Sequence, residues 1–528
     1  MRQTGAIQWR NRMSLGAFFM LAAAPLMAQS QGPLSVIDWL DTQNAPEIAR
    51  PTAQKLKAGL PLGNHQIDEP AVAKTALVPP VAVQPLKLGG GREIGLVPTR
   101  ITGLPSDLWS GSDIAKLQTK IAKLPDLHLP AAQSLLYTVL LSEAQAPGNS
   151  PAAGDALALA RTEKLIQRGA LDPALALIEQ AGITTSPGHF DLWMQISLLT
   201  GTEDRACDRL DAAPHLTQNY STRIFCAARA SRWEDAALTL GTAKALNLLP
   251  DEQLALFDRF LNPEDFEGMA PLPVPRVMDP LSFRLFETIG EPVNTAKLPR
   301  AYAVADLRDL AGWKAQLEAA ERLTRAGALP DNRLLGLYSE RKAAASGGVW
   351  DRVLALQRFE TALESDSVEA VSKTLPTVWR GMRGAGLAVA FSELFAERLS
   401  QVPLEGRATQ TAHEVMLLSP AYETAAARGD SSDLTTQVAL GDIKPGRPAD
   451  IIQGAIHDAF AGAAPRADLL AMVKQGRLGE SILEVLSLLH TGARGNDRAL
   501  RDALATLRAL GLEDTARRAA LQTLLLEY

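Results

Sequence analysis

From about residue 112 onwards, apolar residues recur every three or four positions, the spacing that marks one face of an α-helix. Two such groups are Leu135, Leu136, Val139 and Leu140, and Leu469, Leu470 and Val473. Sustained alternation of apolar and polar residues, which a half-buried strand requires, does not occur after residue 112. Leu, Ala, Glu and Arg, which favour helices, dominate this part of the chain. The pattern predicts an all-α fold.

The predicted helices form pairs that share a local pattern. A helix is followed by a tight turn of small or polar residues, one bulky apolar residue, and a second helix rich in small residues. These bulky residues, which we call the anchors, are Leu171, Trp233, Trp313, Trp350, Leu387 and Leu478. Several gaps between anchors are near one or two units of about 34–45 residues, the length of helical-hairpin repeats. Since each hairpin leaves an apolar face uncovered, we expect an α-solenoid of stacked hairpins.

This unit resembles the tetratricopeptide (TPR) repeat, in which small residues occupy the third and tenth positions after the anchor. The pattern is met by Leu171 with Ala174 and Ala181, and by Trp233 with Ala236 and Ala243. Larger residues take all four of these positions after Trp313 and Trp350: Gln316, Leu323, Val353 and Glu360. The resemblance covers scattered pieces of residues 155–490 and implies a TPR-like solenoid.

A second resemblance concerns the start of the helical body. The segment from Thr102 to Trp109, followed by an all-helical chain, is similar to a group of exported alphaproteobacterial proteins. This resemblance implies export and a helical body, but no particular activity.

Residues 1–28 have the three parts of a secretory signal peptide. Three arginines in the first twelve residues precede an apolar stretch at 13–24, and we expect cleavage after Ala28. An uncleaved amphipathic anchor is the alternative, since the apolar stretch is too short to span a membrane comfortably. The signal predicts a periplasmic protein.

Residues 29–105 differ in composition from the rest of the chain. Seven prolines lie between residues 61 and 105, and three glycines occupy 89–91. Because proline lacks an amide donor and glycine is costly to order, we expect an extended, largely disordered tether. Beyond it we expect a first helical-hairpin array over 106–262, a proline-rich connector over 263–280, and a second array over 281–528.

One short segment of the tether has the composition of a docking motif. Its bulky residues are Leu34, Ile37, Trp39 and Leu40. Two interpretations stay open: the segment docks onto the helical body of its own chain, or it inserts into a groove of a partner.

Cys207 and Cys226 are the two cysteines of the chain. In an oxidising compartment, the simplest interpretation of such a pair is one structural disulfide. Two free buried thiols are the alternative. A redox role is disfavoured because the C-x-x-C spacing that lowers a thiol pKa is missing.

Charge and motifs exclude several classes of function. The 528-residue chain has a net charge of −6, whereas a nucleic-acid partner requires a basic face. No apolar run reaches the length of about 20 residues that a spanning helix needs, so we expect no stable membrane insertion of the mature chain. Neither a G-x-S-x-G turn nor a pair of histidines four residues apart occurs. We therefore expect no catalytic, metal-binding or cofactor-binding residues.

The hairpin pattern, the predicted export and the missing catalytic motifs favour a non-catalytic scaffold or adaptor that binds another cell-envelope protein. We expect the anchor tryptophans to lie as core wedges between paired helices rather than at exposed recognition sites. One alternative is a cell-wall turnover enzyme or accessory protein that binds peptidoglycan. Soluble lytic transglycosylases combine a helical superhelix with a lysozyme-like domain, but residues 497–528 have only the pattern of amphipathic helix. Another alternative is a structural envelope protein that self-associates.

Overall fold

A computed structural model describes residues 93–526, which lie within one compact unit, Pro85–Tyr528. Helices dominate this part of the chain, and it contains no strand. Two isolated bridges, Ile94 with Ala144 and Val97 with Ser142, are the β pairing found among these residues. The prediction of an all-α fold is confirmed. The predicted signal peptide, most of the predicted tether and the Leu34–Leu40 motif lie outside the described residues.

We number the α-helices of the described residues in chain order. They are α1 (Thr99–Thr102), α2 (Ile114–Lys123), α3 (Pro130–Leu141), α4 (Pro151–Arg168), α5 (Leu171–Ala181), α6 (Pro187–Thr200), α7 (Glu203–Ala212), α8 (Tyr220–Arg229), α9 (Trp233–Ala245), α10 (Asp251–Leu261), α11 (Pro280–Thr288), α12 (Trp313–Thr324), α13 (Asp331–Ser339), α14 (Val349–Glu364), α15 (Val368–Gly384), α16 (Ala388–Leu399), α17 (Arg407–Leu417), α18 (Tyr422–Ala426), α19 (Leu434–Leu440), α20 (Ile451–Phe460), α21 (Ala467–Lys474), α22 (Leu478–Ala493), α23 (Asp497–Ala509) and α24 (Glu513–Leu525). Short 3-10 helices occupy Pro147–Asn149, Pro214–Leu216, Pro263–Phe266, Thr295–Lys297 and Arg300–Leu307. None of the described helices is long and apolar enough to cross a membrane.

Many helix starts follow from local sequence. Several helices are preceded by a side chain that accepts a hydrogen bond from a first-turn amide, which satisfies a group that the helix itself leaves unpaired. These N-capping residues are Asp113, Asn219, Asp279, Ser367, Asp450 and Asn496. The six anchors also mark helix starts. Four of them are the first residue of a helix, Trp350 is the second residue of α14, and Leu387 directly precedes α16.

The anchors differ in burial. Leu171, Leu387 and Trp313 are buried, and Trp350 and Leu478 are half-buried. Trp233 is 50% exposed, so the expectation of a core wedge does not hold for this residue. The buried face of α9 consists of the smaller side chains Ala236, Leu240 and Ala243. The indole of Trp233 lies beside that face and contacts Phe260.

The hydrophobic core divides into two clusters. The larger cluster gathers side chains from residues 94–305 and 417–521, and the smaller one from residues 303–418. The chain between α10 and α11 is largely irregular. It does not separate the cores, however, because α11 packs against both α6 and α10. Parts of the predicted arrays over 106–262 and 281–528 therefore share the larger cluster, whereas residues 303–418 form the smaller one.

The first helices of this unit pack against the last ones. Helix α22 contacts α2 and α3, and α24 contacts α3. The amide of Gly111 donates to the Gly476 carbonyl, and that of Gly479 donates to the Leu108 carbonyl, each at 2.9 Å. In a solenoid each unit contacts its neighbours alone, so an open array has no contact between its two ends. The solenoid of stacked hairpins stays a prediction. The contact between the first and last helices is not expected of an open solenoid.

Trp109 forms the centre of this contact. It is fully buried, and it lies so close to Gly479 that a Cβ atom there would approach the indole to 2.2 Å. Only glycine allows this approach. The segment similar to exported helical proteins therefore packs against Gly479, the residue after the last anchor, Leu478.

The last part of the predicted tether belongs to the folded body. The amides of Leu96 and Val97 donate to the Leu141 carbonyl at 2.8 and 3.0 Å. Ile94 and Leu104 are each 5% exposed. The expectation of a disordered tether is wrong for residues 93–105, because their apolar side chains find a place in the core.

Helix α4 holds the ends of other helices through buried cations. The Arg161 guanidinium donates to carbonyls of Ile94, Leu140 and Ser142. Lys164 donates to the carbonyls of residues 122 and 124, at the end of α2. Arg168 pairs with Asp126 and donates to the Ala326 carbonyl just after α12. The unpaired carbonyls at the end of a helix favour a nearby cation. Through these three side chains, α4 is bonded to the ends of α2, α3 and α12.

The two cysteines form a disulfide. Cys207 of α7 and Cys226 of α8 have Cα atoms 5.0 Å apart, and both side chains are buried. The disulfide predicted from the sequence is confirmed in the structure. It joins two consecutive helices of the larger core.

Candidate functional site

A surface cleft lies where α12 and α14 begin. Its volume is about 580 Å³, and it is largely open to solvent rather than enclosed. The side chains that give it chemical character are Trp313, Lys314, Glu318, Arg341, Lys342 and Trp350. Two anchors that are 37 residues apart in sequence therefore meet in one place.

The two indole rings form the apolar part of the cleft. Their centroids are 5.1 Å apart, and their planes are inclined by 53°. Trp313 is 8% exposed, and its Nε1–H donates to the Leu337 carbonyl at 3.1 Å. Trp350 is half-buried. One ring is thus fixed by a hydrogen bond to the end of α13, and the second leans against it with more surface open to solvent.

A double-glycine turn places Trp350 at the cleft. Gly347 and Gly348 have φ angles of 92° and 59°, in the region that side chains other than glycine rarely adopt. The amide of Gly347 donates to Asp351 Oδ1 at 2.9 Å, just inside α14. This turn ends the loop after α13 and starts α14 with Trp350 in its first turn.

Helix α12 is held at its far end. The Ala326 carbonyl, just beyond α12, accepts hydrogen bonds from Arg168 and from the hydroxyl of Tyr137. Burial raises the pKa of Tyr137, so this hydroxyl keeps its proton and remains a donor. The helix that carries Trp313 is therefore attached to the body of the unit through α3 and α4.

The rim of the cleft is cationic. Its lining contains three cationic side chains, Lys314, Arg341 and Lys342, against the single carboxylate of Glu318. Lys314 pairs with Glu318 at 3.6 Å, and both are more than half exposed. Arg341 pairs with the neighbouring Glu340 at 2.8 Å, whereas Lys342 has no ion pair within residues 93–526. Exposed pairs are worth about 0–1 kcal/mol, so a ligand can displace them.

A second group of ionisable residues lies outside the cleft. Burial, together with the neighbouring carboxylate of Glu393, raises the pKa of Asp331 to about 7. Glu393 accepts a hydrogen bond from Arg518 of α24 at 2.8 Å. This group joins the start of α13 to α16 and α24, and it is a titrating contact between helices. Among the described residues, no cluster of three or more His, Cys, Asp or Glu side chains could hold a metal ion.

The structure brings some of the sequence candidates together and leaves others apart. Trp313 and Trp350 share the cleft, whereas Leu171 and Leu387 are buried in the two cores. Trp233 contacts Phe260 and does not line the cleft. The cationic rim was missed at the sequence level. Its signal was the basic pair at 341–342, just before the double-glycine turn.

Comparison of the chain with protein-family models, with curated proteins and with solved structures finds no match.

Proposed function

We propose that this protein is a non-catalytic scaffold or adaptor that binds another cell-envelope protein, and that the Trp313–Trp350 cleft is its binding site. The observation that carries the proposal is the pairing of two tilted indoles with three exposed cations. Aromatic and arginine side chains are enriched where proteins bind one another, because they combine large apolar area with directed polar contacts.

Sequence features support the location and the mode of action. The predicted signal peptide at 1–28 indicates export, and a disulfide between Cys207 and Cys226 is compatible with an oxidising compartment. The hairpin pattern favours a TPR-like solenoid, a class of fold that offers extended surfaces for binding. Both cleft tryptophans are anchors of that pattern and lie at helix starts, Trp313 as the first residue of α12 and Trp350 as the second of α14.

The test is a quantitative affinity capture from the periplasm of the producing cells. The full chain is compared with Trp350→Ala and with the paired change Arg341→Glu and Lys342→Glu. The matched control is Trp233→Ala, which removes an exposed anchor outside the cleft. We expect one dominant envelope protein that the wild type and the control retain and both cleft variants lose. A partner retained equally by all forms would reject the cleft as the site.

A glycan ligand is the second candidate, because indole faces also pack against the apolar faces of sugar rings. Sedimentation with purified peptidoglycan tests it with the same four forms. Binding that disappears with Trp350→Ala would favour a cell-wall role over the adaptor.

The remaining alternative is a structural protein that self-associates. Light scattering at two protein concentrations tests it, because the average mass of a self-associating protein rises with concentration.

A further inference from the structure

We propose that the cleft recognises an extended, acidic peptide segment that inserts an aromatic or large aliphatic side chain beside Trp350. This inference rests on the proposed function and names the chemistry of the partner segment. Three features of the cleft carry it: the indole pair, the cationic rim and the free backbone of the loop beside it.

The indole pair selects the inserted side chain. Trp313 is 8% exposed and donates its Nε1–H to the Leu337 carbonyl, so this ring is a fixed support for the indole of Trp350. The indole N–H of Trp350 makes no hydrogen bond to any of residues 93–526, and its ring is half-buried against Trp313. An inserted aromatic or large aliphatic side chain would cover the exposed part of Trp350, and an acceptor of the ligand would satisfy its N–H.

The cationic rim selects acidic flanking residues. Lys314 comes from the start of α12, whereas Arg341 and Lys342 come from the loop after α13, so the positive charges approach the cleft from two segments. The whole chain carries a net charge of −6, so this site is opposite in sign to the average of the chain. The positive rim speeds the association of an acidic segment, and it repels a basic one. Arginine also binds carboxylates through two parallel hydrogen bonds.

The loop between α13 and α14 supplies backbone groups that can pair with a peptide. Within residues 342–346, no amide or carbonyl takes part in a hydrogen bond with any of the residues that the structure describes. Three consecutive alanines, 343–345, leave this backbone open to close approach. The free amides and carbonyls of this loop can exchange hydrogen bonds with the main chain of an extended peptide. The amides of a glycan strand lie on its side groups and do not repeat at the spacing of a peptide backbone, which is why we favour a peptide.

The test is a selection from a phage-displayed library of random peptides of about twelve residues on the immobilised full chain. Clones are kept if they bind the wild type and fail to bind Trp350→Ala. We expect an enriched pattern with several Asp or Glu residues around one aromatic or large aliphatic residue. A synthetic form of that pattern should bind at least about tenfold more weakly to Lys342→Glu, and within about twofold of wild type to Trp233→Ala.

Lys342→Glu keeps the test independent of folding, because Lys342 is exposed and outside the core. Methylation of alternate backbone nitrogens of the same peptide should weaken binding by about tenfold, since it removes donors of the main-chain ladder. Enriched peptides that are neutral or basic, methylated peptides that bind unchanged, or no enrichment at all would each overturn the inference.

The outcomes separate this inference from the proposed function. If the selection fails but affinity capture of a native protein still depends on Trp350, the acidic-peptide chemistry is wrong and the adaptor stands. If the full chain binds peptidoglycan fragments through Trp350 and selects no peptide, both the peptide and the adaptor are rejected.

Discussion

At the scale of single residues, Arg161 shows how polar side chains organise this helical fold. It is 1% exposed and lies in contact with three backbone carbonyls rather than with a carboxylate. Burial lowers its pKa to about 10, so it still carries its charge at neutral pH. Its contacts join residue 94 to the end of α3.

Arg161→Met tests this role. The change keeps much of the side-chain volume but leaves three buried carbonyls without a donor, so we expect a loss of about 2–4 kcal/mol in the free energy of unfolding. Urea denaturation followed by circular dichroism measures it. Arg205→Met is the control, since Arg205 is 69% exposed and in a weak ion pair, and it should change stability by less than about 0.5 kcal/mol. Equal effects would contradict the assignment.

Asp331 gives the fold a predictable dependence on pH. Its pKa is about 7 in the folded chain, against an ordinary value of 3.8, so between these values the folded state binds more protons than the unfolded one. This contribution makes the free energy of unfolding fall as pH rises through that window. Asp331→Asn removes it.

We therefore expect Asp331→Asn to be more stable than wild type by about 1–2 kcal/mol at pH 8, and the gain to vanish near pH 4. The full pKa shift of Asp331 would correspond to a larger gain in the free energy of unfolding. However, Glu393 is 39% exposed and paired with Arg518, so its repulsion of Asp331 is screened. Denaturation midpoints at several pH values measure the difference. A gain that stays constant with pH would contradict the carboxylate interaction.

At the scale of helices, local sequence patterns predicted where helices start better than they predicted which side chains are buried. The six anchors marked helix starts to within one residue, because a tight turn before a bulky residue is a local signal. Burial depends on what the rest of the chain places nearby, so Trp233 and Trp313 share a pattern and differ in exposure. The Cys207–Cys226 pairing was predictable because the chain has only two cysteines.

The disulfide ties α7 to α8, and its removal tests that link. Replacing both cysteines by serine should lower the free energy of unfolding by about 3 kcal/mol, the chain-entropy value for a loop of about 20 residues. Thermal denaturation with and without reductant measures the effect. The variant should be insensitive to reductant, whereas the wild type should lose stability when reduced. A wild type that is unaffected by full reduction would contradict the prediction.

At the scale of the whole unit, the contact between its first and last helices could not be predicted from the sequence. Periodicity shows which face of a helix is apolar, but it does not show which distant helix covers that face. Trp109 and Gly479 are separated by about 370 residues, and no local pattern links them. The cleft was half predictable: its two tryptophans stood out as anchors, but their meeting depended on the packing of α12, α13 and α14.

Gly479→Ala tests the contact between the ends. The added Cβ would overlap the buried Trp109 indole, so we expect a loss of about 1–3 kcal/mol and faster hydrogen exchange at the amides of Gly111 and Gly479. Gly241→Ala in α9 is the matched control, because a Cβ there meets no atom within 4 Å. It should be neutral or slightly stabilising. Unchanged exchange in Gly479→Ala would contradict the packing described above.

Site-specific photocrosslinking in living cells tests whether a partner binds at the Trp313–Trp350 cleft. A photoreactive amino acid at Ala344, which lines the cleft, should give one covalent product with an envelope protein. The product should disappear when Trp350→Ala is added, and the same probe at the exposed Ala237 of α9 should not form it. The same product from both positions, or a product that persists without Trp350, would show that the partner does not bind at this cleft.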